Sequence, residues 1–134
     1  GMVIPTLVRQ ALQNKPLTIH GNGKQSRCFC NVKDVITGLL DIEKARSSNG
    51  EIFNLGSNEE ITINELATKI IDLTESKSVI KFVNYKEVFG DNFEDMRRRV
   101  PDLSKIKTLT GYKPSFSLDE TLMEVINHEK KEMV

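Results

Sequence analysis

The chain has 134 residues, the length of one ordinary domain, with 38% hydrophobic and 28% charged residues, a composition typical of folded globular proteins. Lys plus Arg equals Asp plus Glu at 19 each, which excludes a general pull on nucleic acid or anionic membrane and requires any anion site to be local. No apolar run approaches the ~20 residues of a membrane helix, and no basic stretch leads into an apolar core at the start. Gly1 ahead of Met2 reads as a tag remnant, and a single domain is expected over 1–134.

Ile4, Val8, Ala11 and Leu12 recur at helical spacing, with Pro5 in the first turn and Asn14-Lys15-Pro16 as a stop. Leu17 to His20 alternates as a short strand, Gly21-Asn22-Gly23 reads as a tight hairpin turn, and Arg27 to Val32 is a second extended run. Asn31 is placed to cap a helix whose apolar stripe is Val32, Val35, Ile36, Leu39 and Leu40. Ile52 to Leu55 reads as a short buried strand closed by Gly56. Thr62-Ile63-Asn64-Glu65 is a capping box, followed at helical spacing by Ile63, Leu66, Ala67, Ile70 and Ile71. Val79 to Val83 is a strand, and 84–101 is mostly loop. Asp102 is placed to cap a short helix carrying Leu103, Ile106 and Leu109 that stops at Gly111. Ser117 and Glu120 form a second capping box, before a helix burying Leu118, Leu122, Val125 and Ile126.

Several chemistries are missing from the sequence. No G-x-G-x-x-G opens a strand–turn–helix unit, so there is no dinucleotide fingerprint and no cofactor-binding residue is assigned. Tyr85 and Tyr112 are each followed four positions later by Phe, so neither begins a Tyr-x-x-x-Lys pair. His20 reads as a strand residue and His128 as a solvated one. Cys28 and Cys30, two apart in an extended run, suit neither a disulfide nor a zinc site and point to a reducing, cytoplasmic setting. No catalytic residue and no metal ligand is assigned.

Two basic features remain. Arg27 lies just past the glycine turn, and a planar guanidinium binds phosphate oxygens through paired hydrogen bonds; a solvated arginine at a strand end is the bland alternative. Arg97-Arg98-Arg99-Val100-Pro101-Asp102 is a positive patch in a chain of zero net charge, set ahead of a helix start whose free N–H groups favour anions. Asp102 suits helix capping, acceptance from a ribose hydroxyl pair, or both.

In this order the pieces resemble the C-terminal half of extended short-chain dehydrogenases that act on nucleotide sugars, the NAD-dependent epimerase/dehydratase family. The resemblance covers nearly the whole chain. Val3 to Leu12 is similar to the helix opening their substrate domain, and Pro16-Leu17-Thr18-Ile19-His20-Gly21-Asn22-Gly23-Lys24-Gln25-Ser26-Arg27 to their P-L-x-x-Y/H-G-x-G-x-Q-x-R element. Phe29 to Asp34, Phe53-Asn54-Leu55-Gly56, Arg98 to Lys105 and Leu109 to Pro114 follow the next blocks.

The resemblance implies an α/β fold, a small mixed sheet with flanking helices, lacking most of the Rossmann domain. It implies diphosphate contacts at Arg27 and Arg99, ribose binding at Asp102, and a base lying along the backbone of Leu17 to Ile19. Phe29 stands where relatives carry an aromatic near the nucleotide, and Asn54 is a further candidate. The partner implied is an NDP-sugar, a UDP-sugar by preference. NAD(P), the glycine fingerprint and the Tyr-x-x-x-Lys pair would belong to the N-terminal Rossmann half, so this chain reads as a segment of something longer that does not catalyse alone. Relatives also use the helix from residue 32 and the strand near residue 53 to complete the cofactor domain, so their apolar faces would be exposed here and self-association is expected. A non-enzymatic nucleotide-binding or protein-interaction module is the alternative.

Overall fold

The computed structural model describes residues 2–85, 90 and 95–133. The elements are α1 (Val3–Leu12), β1 (Leu17–His20), β2 (Ser26–Cys28), α2 (Val32–Lys44), a 3-10 turn (Arg46–Ser48), β3 (Glu60–Thr62), α3 (Ile63–Thr74), β4 (Ile80–Val83), α4 (Ser104–Thr110) and α5 (Leu118–Glu132). Among the described residues the strands form two two-stranded sheets, β1 with β4 and β2 with β3. The chain divides into two compact units, Gly1–Arg27 with Ile61–Arg98 and Leu122–Val134, and Cys28–Glu60 with Arg99–Thr121.

The first unit is built on a parallel pair. Leu17 lies opposite Ile80 and Ile19 opposite Phe82, and the alternation of β1 turns both Leu17 and Ile19 inward, where they are fully buried. Their core neighbours come from three helices: Leu7 and Val8 of α1, Leu66 and Ile70 of α3, Leu122 and Ile126 of α5. Each fully buried Leu or Ile of this set stabilises by about 1.5–3 kcal/mol relative to exposure. Helix α3 starts where the sequence predicts. Thr62 Oγ accepts from Glu65 N at 3.2 Å, and Glu65 accepts from Thr62 N at 2.9 Å. The second box is formed likewise, with Ser117 N donating to Glu120 at 2.8 Å and Glu120 N to Ser117 Oγ at 3.2 Å.

The glycine turn departs from its expected role. It does not fold β1 back onto β2; Gly21 N donates to Val83 O at 2.8 Å, continuing the β1–β4 pair. Gly21 and Gly23 both have φ near +70°, and side chains press on them: a Cβ at Gly21 would strike the ring of Tyr85, and one at Gly23 the carboxamide of Asn64. The glycines answer to a close approach as well as to a bend. The second extended run is also shorter than expected, since only Ser26–Cys28 is strand.

In the second unit Asn31 caps α2 as predicted, accepting from Lys33 N at 2.9 Å. As the resemblance implies, the helix leaves its apolar stripe uncovered. Its buried residues are Asp34 and Gly38, while Val32, Ile36, Leu39 and Leu40 are each more than half exposed. Asp34 earns burial by accepting from Ser115 N, Ser115 Oγ and Phe116 N at 3.0, 2.6 and 3.2 Å. Residues 52–55 are not the expected buried strand: among the described residues no sheet partner holds them, and Ile52 is 86% exposed. Phe53 instead lies beneath the ammonium of Lys105, 4.9 Å from the ring centroid, and Lys105 also meets Glu51 at 2.5 Å. Of the segment 84–101, positions 86–89 and 91–94 lie outside the described residues; 95–101 contain a bridge from Arg98 to Ser26 and no helix. Leu122 and Ile126 of α5 are buried as expected, with Val125 half-buried.

Candidate functional site

In the second unit, Asn54, Arg99 and Asp102 line one cavity of about 440 Å³, with Cys28, Cys30, Leu55 to Ser57, Val100 and Pro101. Most of its lining comes from the stretches 54–57 and 99–102. Asp102 Oδ1 accepts from Ser104 N at 2.9 Å and Ser104 Oγ at 2.6 Å, holding the start of α4 from two residues ahead. These bonds hold the Asp102 carboxyl below its ordinary range. Asp102 thus braces the first turn from one position ahead of the N-cap, Leu103, which makes no side-chain cap bond. The expected cap by Asp102 is replaced by this contact, which satisfies the Ser104 N–H. Asn54 Nδ2 donates to Asp102 O at 3.1 Å, tying together two of the three stretches of chain that line the cavity. Arg99 is exposed and has no ion pair among the described residues.

Tyr112 holds Gly56, one of the residues lining this cavity. Its hydroxyl donates to Gly56 O at 2.9 Å and lies 3.7 Å from Cys30 Sγ. Burial, then the contact with Cys30, pushes the phenol well above its ordinary value, and it remains a donor at neutral pH. Burial likewise raises the Cys30 thiol, which argues against a reactive thiolate there. For Asp34, burial pushes the carboxyl up, but the three bonds from Ser115 and Phe116 outweigh it and leave it lowered.

In the first unit, Arg27 is 14% exposed and its guanidinium is engaged: Nη1 donates to Ser26 O at 2.7 Å, and Nη2 to Asp95 Oδ1 at 2.6 Å. Tyr85 donates to Asp95 Oδ2 at 2.7 Å and accepts from Gln25 Nε2 at 2.9 Å, while Gln25 also donates to His20 O at 3.1 Å. Burial, then the hydrogen bond to Asp95, pushes the Tyr85 hydroxyl up to about 12. A cavity of about 880 Å³ is lined by Gly21, Asn22, Lys24, Gln25, Tyr85, Asp95 and Arg97. Leu17 and Ile19 are core residues of this unit. Thr18 N is taken by Gln10 Oε1 at 3.0 Å and Leu17 N by Val79 O at 2.9 Å. Phe29, half-buried, belongs to the second unit.

The arginine run is thus divided. Arg97 lines the first unit's cavity and Arg99 the second's, while Arg98 bridges to Ser26 within the first unit. Among the described residues no cluster of three His, Cys, Asp or Glu could hold a metal, and no helix is long and apolar enough to cross a membrane.

The model of the family described as GDP-mannose 4,6 dehydratase matches residues 1–125. This chain belongs to that family, the extended short-chain dehydrogenases that include NAD-dependent sugar epimerases and dehydratases. Among curated members, it is 39% identical to a UDP-N-acetyl-alpha-D-glucosaminuronate decarboxylase of Bacillus cytotoxicus, covering 92% of this chain and 38% of the relative. It is 36% identical to UDP-glucuronic acid decarboxylase 1 of Danio rerio, covering 99% of this chain and 30% of the relative. The chain therefore spans well under half the length of these family members. Among solved structures, an epimerase from Methanothermobacter thermautotrophicus superposes with a TM-score of 0.89 at 27% identity, over 99% of this chain and 38% of its own. UDP-glucuronic acid 4-epimerase of Bacillus cereus, solved with UDP-glucuronic acid and NAD, gives 0.86 at 26% identity, over 98% and 40%. Asp95, Tyr85 and Tyr112 were invisible as site residues in the sequence. An acidic residue two positions ahead of the arginine run was the one available signal for Asp95.

Proposed function

We propose that this epimerase/dehydratase-family chain is a nucleotide-sugar-binding region, and that its second unit holds the diphosphate and ribose of an NDP-sugar, a UDP-sugar by preference. The observation that carries the reading is Arg99: an exposed guanidinium with no ion pair among the described residues, on a wall shared with the carboxylate of Asp102 and the carboxamide of Asn54. Arginine suits phosphate because its N–H groups match paired oxygens. Asp102 Oδ1 serves the helix, and Oδ2 is the oxygen for a ribose hydroxyl. In the first unit, Arg27 is read by itself as a phosphate contact, two of its guanidinium donors being engaged and the others left for an anion. UDP is favoured because the curated relatives above are named for UDP-sugars.

Hydride chemistry is assigned to the part of the relatives that lies outside the match. The residues here contain neither a glycine fingerprint nor a Tyr-x-x-x-Lys pair, so they do not fit NAD(P) and no redox step is derived through them. The exposed face of Val32, Ile36, Leu39 and Leu40 supports an interaction role as well, and in the isolated chain a second copy is the occupant expected to cover it.

The test is calorimetric titration with UDP and UDP-glucose. Arg99→Ala should weaken UDP binding about tenfold or more, the range of one lost charged hydrogen bond. Equal affinity in the variant and the unaltered chain removes the reading.

A further inference from the structure

Arg27 is nearly withdrawn from water, and a guanidinium so placed needs both a counter-charge and satisfied donors. Asp95 supplies the charge, and its two oxygens answer to different groups: Oδ1 to Arg27 Nη2 and Oδ2 to the Tyr85 hydroxyl. The hydroxyl takes a bond from Gln25, which also binds His20 O, so the chain of bonds returns to the turn that leads into β2, where Arg27 stands. Gly21 closes the arrangement by admitting the Tyr85 ring where any Cβ would collide. Two of the five guanidinium donors are thereby committed, to Ser26 O and Asp95. The others have no acceptor among the described residues.

We propose that Asp95 is the positioning residue of Arg27, fixing the guanidinium plane through the Asp95–Tyr85–Gln25 chain so that its remaining N–H edge is presented to a phosphate group. The proposal rests on the reading of Arg27 as a diphosphate contact. A long flexible side chain held in one orientation before binding loses less entropy when the anion arrives, which raises affinity without adding a contact. The effect is specific to ligands with phosphate and passes entirely through Arg27.

The test compares UDP with uridine on the whole chain carrying Asp95→Ala, Asp95→Asn, Arg27→Ala, or Asp95→Ala with Arg27→Ala. Asp95→Ala should weaken UDP about tenfold and leave uridine within about twofold. Asp95→Asn, which keeps an acceptor for Nη2, should recover most of the loss and serves as the folded control. In the Arg27→Ala background, Asp95→Ala should add nothing, the non-additivity expected of a residue that acts through another. Equal weakening of UDP and uridine would assign Asp95 a purely structural role and overturn the proposal. So would an undiminished Asp95 effect without Arg27. Failure of UDP to bind the unaltered chain removes the underlying reading, whereas UDP binding indifferent to Asp95 removes this inference alone.

Discussion

Replacing Gly38 by alanine sets two effects against each other. Gly38 is inside α2, where alanine is the better helix former by about 1 kcal/mol. The added Cβ, however, would strike Leu55 Cδ1 and lie 2.9 Å from Tyr112 Cε2 and 3.1 Å from Cδ2. Leu55 offers the end of a flexible chain and yields at about 1 kcal/mol of rotamer strain. The Tyr112 ring is buried and its hydroxyl is fastened to Gly56 O, so it yields less readily; crowding of this kind costs about 1–3 kcal/mol. Taking about 2 for the ring, adding 1 for Leu55 and subtracting 1 for the helix leaves Gly38→Ala about 2 kcal/mol less stable. In a chain of this length that lowers Tm by roughly 6 °C. Thermal and urea unfolding followed by circular dichroism measure it. UDP affinity should fall too, because Leu55 and Gly56 line the cavity and Tyr112 holds Gly56. An alanine variant as stable as the parent would refute the reasoning, because it would show that Tyr112 and Leu55 give way freely.

Asp34 sets an acid limit on stability. Its folded carboxyl is lowered by the bonds from Ser115 and Phe116, so its contribution is fully present above the unfolded value of about 3.9 and is lost as pH falls through the lower folded value. Asp34→Asn should flatten that acid limb of the urea midpoint against pH, and identical limbs in both proteins would discount the interaction. The uncovered face of α2 should give concentration-dependent self-association in light scattering, abolished by Ile36→Glu with Leu40→Lys. A constant monomer mass across micromolar concentrations contradicts it.

What the sequence made legible was local. Thr62 with Glu65, Ser117 with Glu120, and Asn31 with Lys33 are partners within three positions, so residue type and spacing define them almost completely. Pairings across the chain were not legible. Leu17 meets Ile80 through a connection of more than sixty residues, and nothing in Gly21-Asn22-Gly23 distinguishes a hairpin from a turn that passes β1 on toward β4. Periodicity identified the apolar stripe of α2 correctly but carries no information about whether anything covers it. Arg99 and Asp102 stood out together because they are three positions apart, and the structure places both on one cavity. The carboxylate that holds Arg27 lies 68 positions away from it, and no local spacing links the two.

The division of labour within Asp102 constrains how this position can vary. One oxygen fastens the first turn of α4; under the proposed reading the other meets the ligand, and architecture and recognition would then call for the same short carboxylate. Asparagine could preserve the brace but would offer the sugar a donor in place of an acceptor, and glutamate would overreach a bond that spans only two residues. Selection acting on folding alone would therefore preserve the chemistry of the cavity, and selection acting on the cavity would keep the helix anchored.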